Sequence, residues 1–356
     1  MGDVSPSWNL RSEEIGSILV MRLGAIGDAL RVLPALRRLR LACPRARIAW
    51  AVEDWVFPLL EGNPNVDAFH ILRRGRIREG LLAAFGEYLR FVRELRTYRY
   101  DLVLDFHGRL KSGLLGFFSG APNRVGFARG QCTECNYLFT NLKVVLDDPL
   151  KNRVLRFLDL LGALDLNVDY DPQDNGVYLR EGLSSWAQEA YCALGRPDVA
   201  VYPGCSKNQA SYHRWPADKW VELLGRLADL GLSATVFWGP DEEDYSRELC
   251  ARVKGGAHMA PKTDLQEMMA LLGLYRAFIG SNTAAMHMAW FRSVPTVVFV
   301  GLAQERTDSP LPPIKFKTLR ASAYEKRGVS KRHQPELTTA VSVDEAFEAL
   351  LEILED

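Results

Sequence analysis

The chain has 356 residues, 44 basic against 44 acidic side chains, and 47% hydrophobic and 25% charged positions. This is the composition of an ordinary globular protein, long enough for two domains with sizeable cores. Charge neutrality argues against a global nucleic-acid binder while leaving room for a local anion site.

The first fifteen residues are polar and lack the basic-then-apolar order of a signal peptide. No apolar run approaches the ~20 residues that cross a bilayer. The chain is therefore expected in the cytoplasm, free to touch a membrane but not to span it.

Residues 18–21 form a short apolar run and are followed by Gly24-Ala25-Ile26-Gly27-Asp28 and by an amphipathic segment, 29–41, with leucines at 30, 33, 36 and 39. The spacing predicts a strand, a glycine turn and a helix. Arg31, Arg37, Arg38 and Arg40 lie on that helix, where they could favour an anionic membrane surface. Strand candidates at 48–52 and 102–106 alternate with helix candidates at 81–95, 110–118 and 154–161, which implies parallel βαβ units. The basic run Arg73, Arg74, Arg76 and Arg78 reads as a solvated face, whereas Arg109 and Lys111, just beyond a strand, read as an anion site.

Six cysteines are scattered through the chain and read as reduced thiols. Cys132 and Cys135 have a C-x-x-C spacing, but without the second pair or matching histidines that zinc requires they read as loop thiols. Residues 165–176, rich in Asp, Asn and Pro, read as a linker or a domain edge.

A second α/β series follows, with strands at 199–202, 234–238, 277–279 and 296–300 and helices at 220–230, 245–253, 265–274 and 284–291. Two doubly wound halves place ligands at the carboxyl ends of their sheets.

Asp28, after the first strand, has two readings from spacing: a helix N-cap, or a general base for an incoming hydroxyl. The turn is not a G-x-G-x-x-G fingerprint, so it gives no support for a nicotinamide cofactor. The loop after the strand at 199–202 carries Gly204, Ser206, Lys207, His213 and Arg214 and could clamp an anionic leaving group, or be a solvated connection with Trp215 packed beneath it. Glu243 could bind ribose hydroxyls or cap a helix. Asn282 and Thr283, with Ala284, Ala285 and His287 behind them, open a helix whose amides suit a diphosphate.

Taken in order, these segments resemble the ADP-heptose:lipopolysaccharide heptosyltransferases, glycosyltransferase family 9, over nearly the whole chain. Residues 18–36, with Arg22, Gly27, Asp28 and Pro34, look like the family's R-x-S-x-x-G-D-x-x-x-x-x-P-A-L opening. Glu53 to Asp67 looks like its V-E-x-x-x-x-x-L-L-E-x-N-P-x-V-D, and Asp105-Phe-His-Gly-Arg-Leu-Lys111-Ser resembles its D-x-Q-G-x-x-K-S.

The resemblance implies an α/β GT-B fold, two Rossmann-like domains facing across a cleft. Residues 1–170 would bind the acceptor and 171–356 the nucleotide sugar, with the last helix able to pack back on the first domain. It implies an inverting glycosyltransferase that needs no metal or other cofactor. The co-substrate would be a nucleotide sugar, ADP-heptose, and the acceptor a lipopolysaccharide inner-core glycan or glycolipid, met at the cytoplasmic face of the inner membrane.

On this reading Asp28 is the catalytic base, and Glu53, Arg109 and Lys111 contact the acceptor. The donor contacts are Gly204, Ser206, Lys207, His213, Glu243, Asn282, Thr283, Ala284, Ala285 and His287. The departures fall in the donor half: His213 stands for the family's Lys, Asn282 for Asp and Ala284 for Gly. Two other readings stay open, a family member using a different nucleotide sugar and a silent paralogue that binds sugar or nucleotide.

Overall fold

The computed structural model describes residues 15–166, 169–205, 214–300, 305–320 and 340–355. The chain divides into two units, Met1–Tyr178 and Leu179–Asp356.

In the first unit, strands β1 (Ser17–Met21), β2 (Arg47–Glu53), β3 (Ala68–Leu72), β4 (Leu102–Asp105), β5 (Asn123–Phe127) and β6 (Leu142–Val144) form one parallel sheet in the order β3-β2-β1-β4-β5-β6. The central strands read as continuous apolar runs because helices cover both faces of a parallel sheet. Leu19, Met21, Ala49, Ala51 and Val103 meet Phe91 and Leu95 of α4 (Leu81–Thr97) on one face. Helices α1 (Ile26–Ala42) and α6 (Arg153–Gly162) pack against one another. Short helices α2 (Phe57–Leu60) and α3 (Arg74–Arg78) flank β3, and α5 (Leu110–Phe118) follows β4.

The second unit repeats the plan. Strands β7 (Val199–Tyr202), β8 (Ala234–Val236), β9 (Ala257–Met259), β10 (Ala277–Ser281), β11 (Thr296–Phe299) and β12 (Phe316–Leu319) are all parallel, in the order β12-β11-β10-β7-β8-β9. Read from the other edge, this is the strand order of the first sheet. Its helices are α7 (Leu183–Ala193), α8 (Ala217–Asp229), α9 (Glu243–Arg252), α10 (Leu265–Leu272), α11 (Ala284–Phe291), α12 (Glu305–Asp308) and α13 (Val343–Leu354). Trp215 stacks on Phe299 and meets Trp220 edge-on, both rings about 5 Å away. The final helix buries Val343, Ala346, Leu350 and Ile353 in this same core.

Of the two readings of residues 165–176, the domain edge agrees with the unit boundary after Tyr178, whereas the free linker and the basic face of α1 do not hold. The acidic stretch before the second unit is folded onto α1, where Asp174 pairs with Arg37 and Asp171 with Arg38. Arg40 pairs with Asp67, and Arg31 is buried against Asp28. The four arginines of α1 are thus neutralised within their own unit and do not offer the membrane surface that their spacing suggested. Among the described residues, no helix is long and apolar enough to cross a membrane.

Candidate active site

In both sheets the strand order reverses direction of growth between two neighbours, β1 and β4 in one, β7 and β10 in the other. Loops leaving the carboxyl ends of such a pair diverge to opposite faces and open a crevice that α/β proteins use for ligands.

In the first unit that crevice is a cavity of about 700 Å³. The backbone turns at Gly24 and Ala25 and enters α1 with Ala25 as N-cap, so Asp28 sits in the helix's first turn and is not the cap. Its carboxylate is free of that duty and faces the cavity. Three guanidiniums meet it: Arg22, Arg31 at 2.9 Å and Arg153 at 3.1 Å. Arg22 is buried and also donates to the Phe106 carbonyl at 2.7 Å, which ties the end of β1 to the end of β4. Burial pushes its pKa below the usual arginine value, with Asp28 opposing that shift.

The β4–α5 turn is organised by buried Asp105. Its carboxylate accepts from the amides of His107 and Gly108, the Ser112 hydroxyl and Asn136 Nδ2, at 2.7–3.0 Å. Burial raises its pKa, against those four donors. The turn presents His107, Arg109 and Lys111 to the cavity. Lys111 Nζ donates to Glu53 Oε1 at 2.6 Å, and Trp55 Nε1 donates to Glu53 Oε2 at 2.7 Å. Arg109 is exposed and lies 3.6 Å from Glu134. The His107 pKa is pushed down to about 3, chiefly by burial and then by Arg22, Lys111 and Arg109, so the ring is neutral at physiological pH. Its Nδ1 is buried without a partner among the described residues.

Arg22, Arg74, Arg78, Arg109, Lys111, Arg153 and Arg156 line the cavity against Asp28 and Glu53 alone. Such an excess of cations in a partly enclosed volume selects an anionic ligand. The structure therefore brings Asp28, Glu53, Arg109 and Lys111 to one cavity. It adds Arg22, Arg153 and His107, which sequence reasoning passed over. Arg22, six residues before Asp28 in the opening motif, was the available signal.

In the second unit, Gly204 follows β7 and leaves room for a carboxylate: a Cβ there would come within 2.3 Å of Glu242 Cδ. Glu242 is buried and accepts from the Cys205 amide at 2.7 Å and the Tyr202 hydroxyl at 2.9 Å, with Arg214 at 3.3 Å. Arg214 also lies over the Tyr245 ring at 4.4 Å. The adjacent Glu243 is half-buried and pairs with Arg247 one turn along α9. The carboxylate behind Gly204 is thus Glu242, one position before the residue picked from the sequence.

Thr283 is the N-cap of α11 by position, yet its side chain makes no capping bond and its Oγ1 is buried without a partner among the described residues. Asn282 donates its amide to the Phe299 carbonyl at 3.3 Å. Ala284 and Ala285 open the helix, and His287 is buried in its second turn, 6.1 Å from the Trp290 ring. Ser206, Lys207 and His213 lie outside the described residues.

The family described as glycosyltransferase family 9 (heptosyltransferase) matches residues 88–329. Lipopolysaccharide heptosyltransferase 2 of Escherichia coli is 26% identical over 308 residues, covering 83% of this chain and 85% of that protein. Lipopolysaccharide heptosyltransferase 1 of Pseudomonas aeruginosa is 28% identical over 292 residues, covering 80% and 78%. Among solved structures, a family 9 glycosyl transferase from Veillonella parvula superposes with a TM-score of 0.80 at 19% identity, over 98% of this chain and 99% of that one. An E. coli heptosyltransferase solved with ADP gives 0.76 at 20% identity, over 95% and 99%.

Proposed function

The chain belongs to glycosyltransferase family 9, and from that premise we propose that it transfers a heptose from ADP-heptose to an acidic glycan of the lipopolysaccharide core, with inversion at the anomeric carbon. The observation that carries this reading is the placement of Asp28 in a cavity lined by seven basic and two acidic side chains. An acceptor bearing carboxylates or phosphates is what that excess suits.

Asp28 takes the proton of the acceptor hydroxyl as that oxygen attacks the anomeric carbon. The bond from this carbon to the diphosphate oxygen breaks and ADP departs. General-base help of this kind is worth roughly 10²–10⁴-fold. Glu53, Arg109 and Lys111 orient the acceptor, making the first unit the acceptor-binding one. The second unit binds the nucleotide sugar. There the amides opening α11 and the Thr283 hydroxyl meet the charge growing on the diphosphate, with Lys207, His213 and Arg214 as cations. A relative solved with ADP supports this assignment of the donor nucleotide. Excluding water from the reacting atoms limits wasteful hydrolysis of the donor. The reading carries no metal requirement, and it sets the enzyme at the cytoplasmic face of the membrane that holds its acceptor.

The test is nucleotide release from ADP-heptose in the presence of a core acceptor, alongside thermal shifts with ADP, UDP, GDP and dTDP. Stabilisation by ADP and acceptor-dependent ADP release are expected. Stabilisation by UDP but not ADP would overturn the donor assignment, and absence of release with every nucleotide sugar would leave a binding protein.

A further inference from the structure

Helix α4 has a core face, joined by the half-buried Tyr88 and Val92, and beside it a set of large apolar side chains near its amino end that stay in solvent among the described residues. Glu87, Phe91 and Leu95 are buried. Leu81 is 91% exposed, Leu82 89% and Phe85 64%, with Leu89 also in solvent. At about 100° per residue these four fall within an arc of about 100° that borders the core arc on the side of Leu95. Four large apolar side chains clustered at one helix end form a patch, which isolated surface leucines do not.

The charges around the patch define its partner. Arg93 and Arg96 continue the same arc towards the helix's carboxyl end, and Arg78 stands just before its start. Among the described residues, none of the three has a carboxylate partner. The acids of α4 are taken: Glu87 and Glu94 both pair with Arg90, and Glu94 also meets His70. An apolar face flanked by unpaired arginines is the make-up of an element that lies in the interface of an anionic bilayer. A second copy of the chain is a poorer occupant, because a self-facing contact would bring like-charged arginines together.

The patch is continuous with the site. Arg74, Ile77 and Arg78 of α3, immediately before α4, line the Asp28 cavity. The geometry points to α4 as the element that docks the enzyme on anionic lipid, with residues 81, 82, 85 and 89 immersed and Arg78, Arg93 and Arg96 at the headgroups, so that the cavity opens beside the lipid that bears the acceptor. This deepens the reading that the acceptor is lipid-borne.

The experiment is co-sedimentation of the full chain with acceptor-free vesicles of phosphatidylcholine, with and without about 30 mol % phosphatidylglycerol. The wild type should partition onto anionic vesicles only. Leu81→Ser/Leu82→Ser/Phe85→Ser should weaken that partition by at least about tenfold, with Tm preserved and turnover on a delipidated acceptor within about twofold. Arg93→Glu/Arg96→Glu should weaken it too and blunt its dependence on salt. Wild type that stays in the supernatant, a triple variant that still sediments, or a triple variant whose only change is dissociation of a dimer in sedimentation velocity would each overturn the docking assignment. The vesicles carry neither donor nor acceptor, so failure of the heptosyl-transfer reading would appear in nucleotide release and not here.

Discussion

Asp28→Asn removes one negative charge from the point where three guanidiniums converge and leaves side-chain volume unchanged. Arg22 and Arg31 are almost wholly buried, Arg153 is 40% exposed, and Asp28 itself keeps 18% of its side-chain surface. Removing one partner of a buried pair costs ~3–5 kcal/mol. Because water still reaches Asp28, the cost falls below that range, at about 2–3 kcal/mol, which in a two-domain chain corresponds to a fall in Tm of roughly 4–12 °C. Loss of the base should separately cut kcat by about 10²–10⁴.

The two effects separate in Asp28→Asn/Arg153→Gln, which relieves part of the positive excess. Stability should recover in part while turnover stays lost. Calorimetry and initial rates of ADP release at saturating donor supply both readouts. Turnover that falls by less than about tenfold in the single variant, or that returns along with stability in the double, would refute the general-base argument and leave Asp28 as a charge-balancing residue.

His107 is held neutral in the fold, with its pKa down to about 3. The unfolded chain therefore binds the extra proton between about pH 3 and 6.5, and the native state loses stability as pH falls through that window. From pH 7 to 5 the loss assigned to this residue is about 2 kcal/mol; it should vanish in His107→Gln, and parallel urea titrations with identical pH dependence would contradict it. Gly204→Ala places a methyl within 2.3 Å of the Glu242 carboxyl carbon; displacing that buried group should cost about 2–3 kcal/mol and weaken ADP binding by calorimetric titration, whereas an unchanged Tm would mean the loop yields freely. Lys111→Ala should raise the acceptor KM about tenfold with kcat little altered, and a change confined to kcat would move Lys111 from binding to chemistry. Turnover should persist within about twofold after exhaustive chelation, because the α11 amides with Lys207, His213 and Arg214 are proposed to meet the diphosphate charge; loss that a divalent ion restores would overturn that account.

The first strand, its glycine turn and α1 are legible because an apolar run, a Gly-x-x-Gly turn and a leucine period follow each other without interruption. The alternation that gives two parallel sheets is equally plain. What escapes is short or polar: β3 reads Ala-Phe-His-Ile-Leu, β5 reads Asn-Arg-Val-Gly-Phe, and β6 and β9 are three residues each. Such segments are strands because neighbours supply hydrogen bonds, not because of their own pattern.

At the site the same distinction holds. Asp28 is marked by its turn, but that Ala25 is the cap depends on where α1 begins. In Asp241-Glu242-Glu243-Asp244 four acids follow one another, and only the start of α9 decides which one faces Gly204. The α1 arginines look like a basic surface until Asp67, Asp171 and Asp174, remote in sequence, arrive beside them.

Both units use one strand order and each opens a crevice at its own switch point, and in the proposed reaction they meet negative charge by different means. The first would offer side-chain cations alone, whose long stems reach anions at varied positions on a branched acceptor. The second would add to its cations the helix amides and small hydroxyl at the end of β10, a fixed geometry suited to a diphosphate that is the same in every donor molecule. The asymmetry also bears on the departures in the donor half. Backbone amides do not depend on residue type, so Asn282 in place of Asp and Ala284 in place of Gly leave the helix terminus able to do its work. An Asn282→Asp variant would add a negative charge where a diphosphate is proposed to sit. If that terminus is the binding element, ADP affinity in the variant should hold or weaken slightly. A marked gain would mean the lost carboxylate served the nucleotide by another contact.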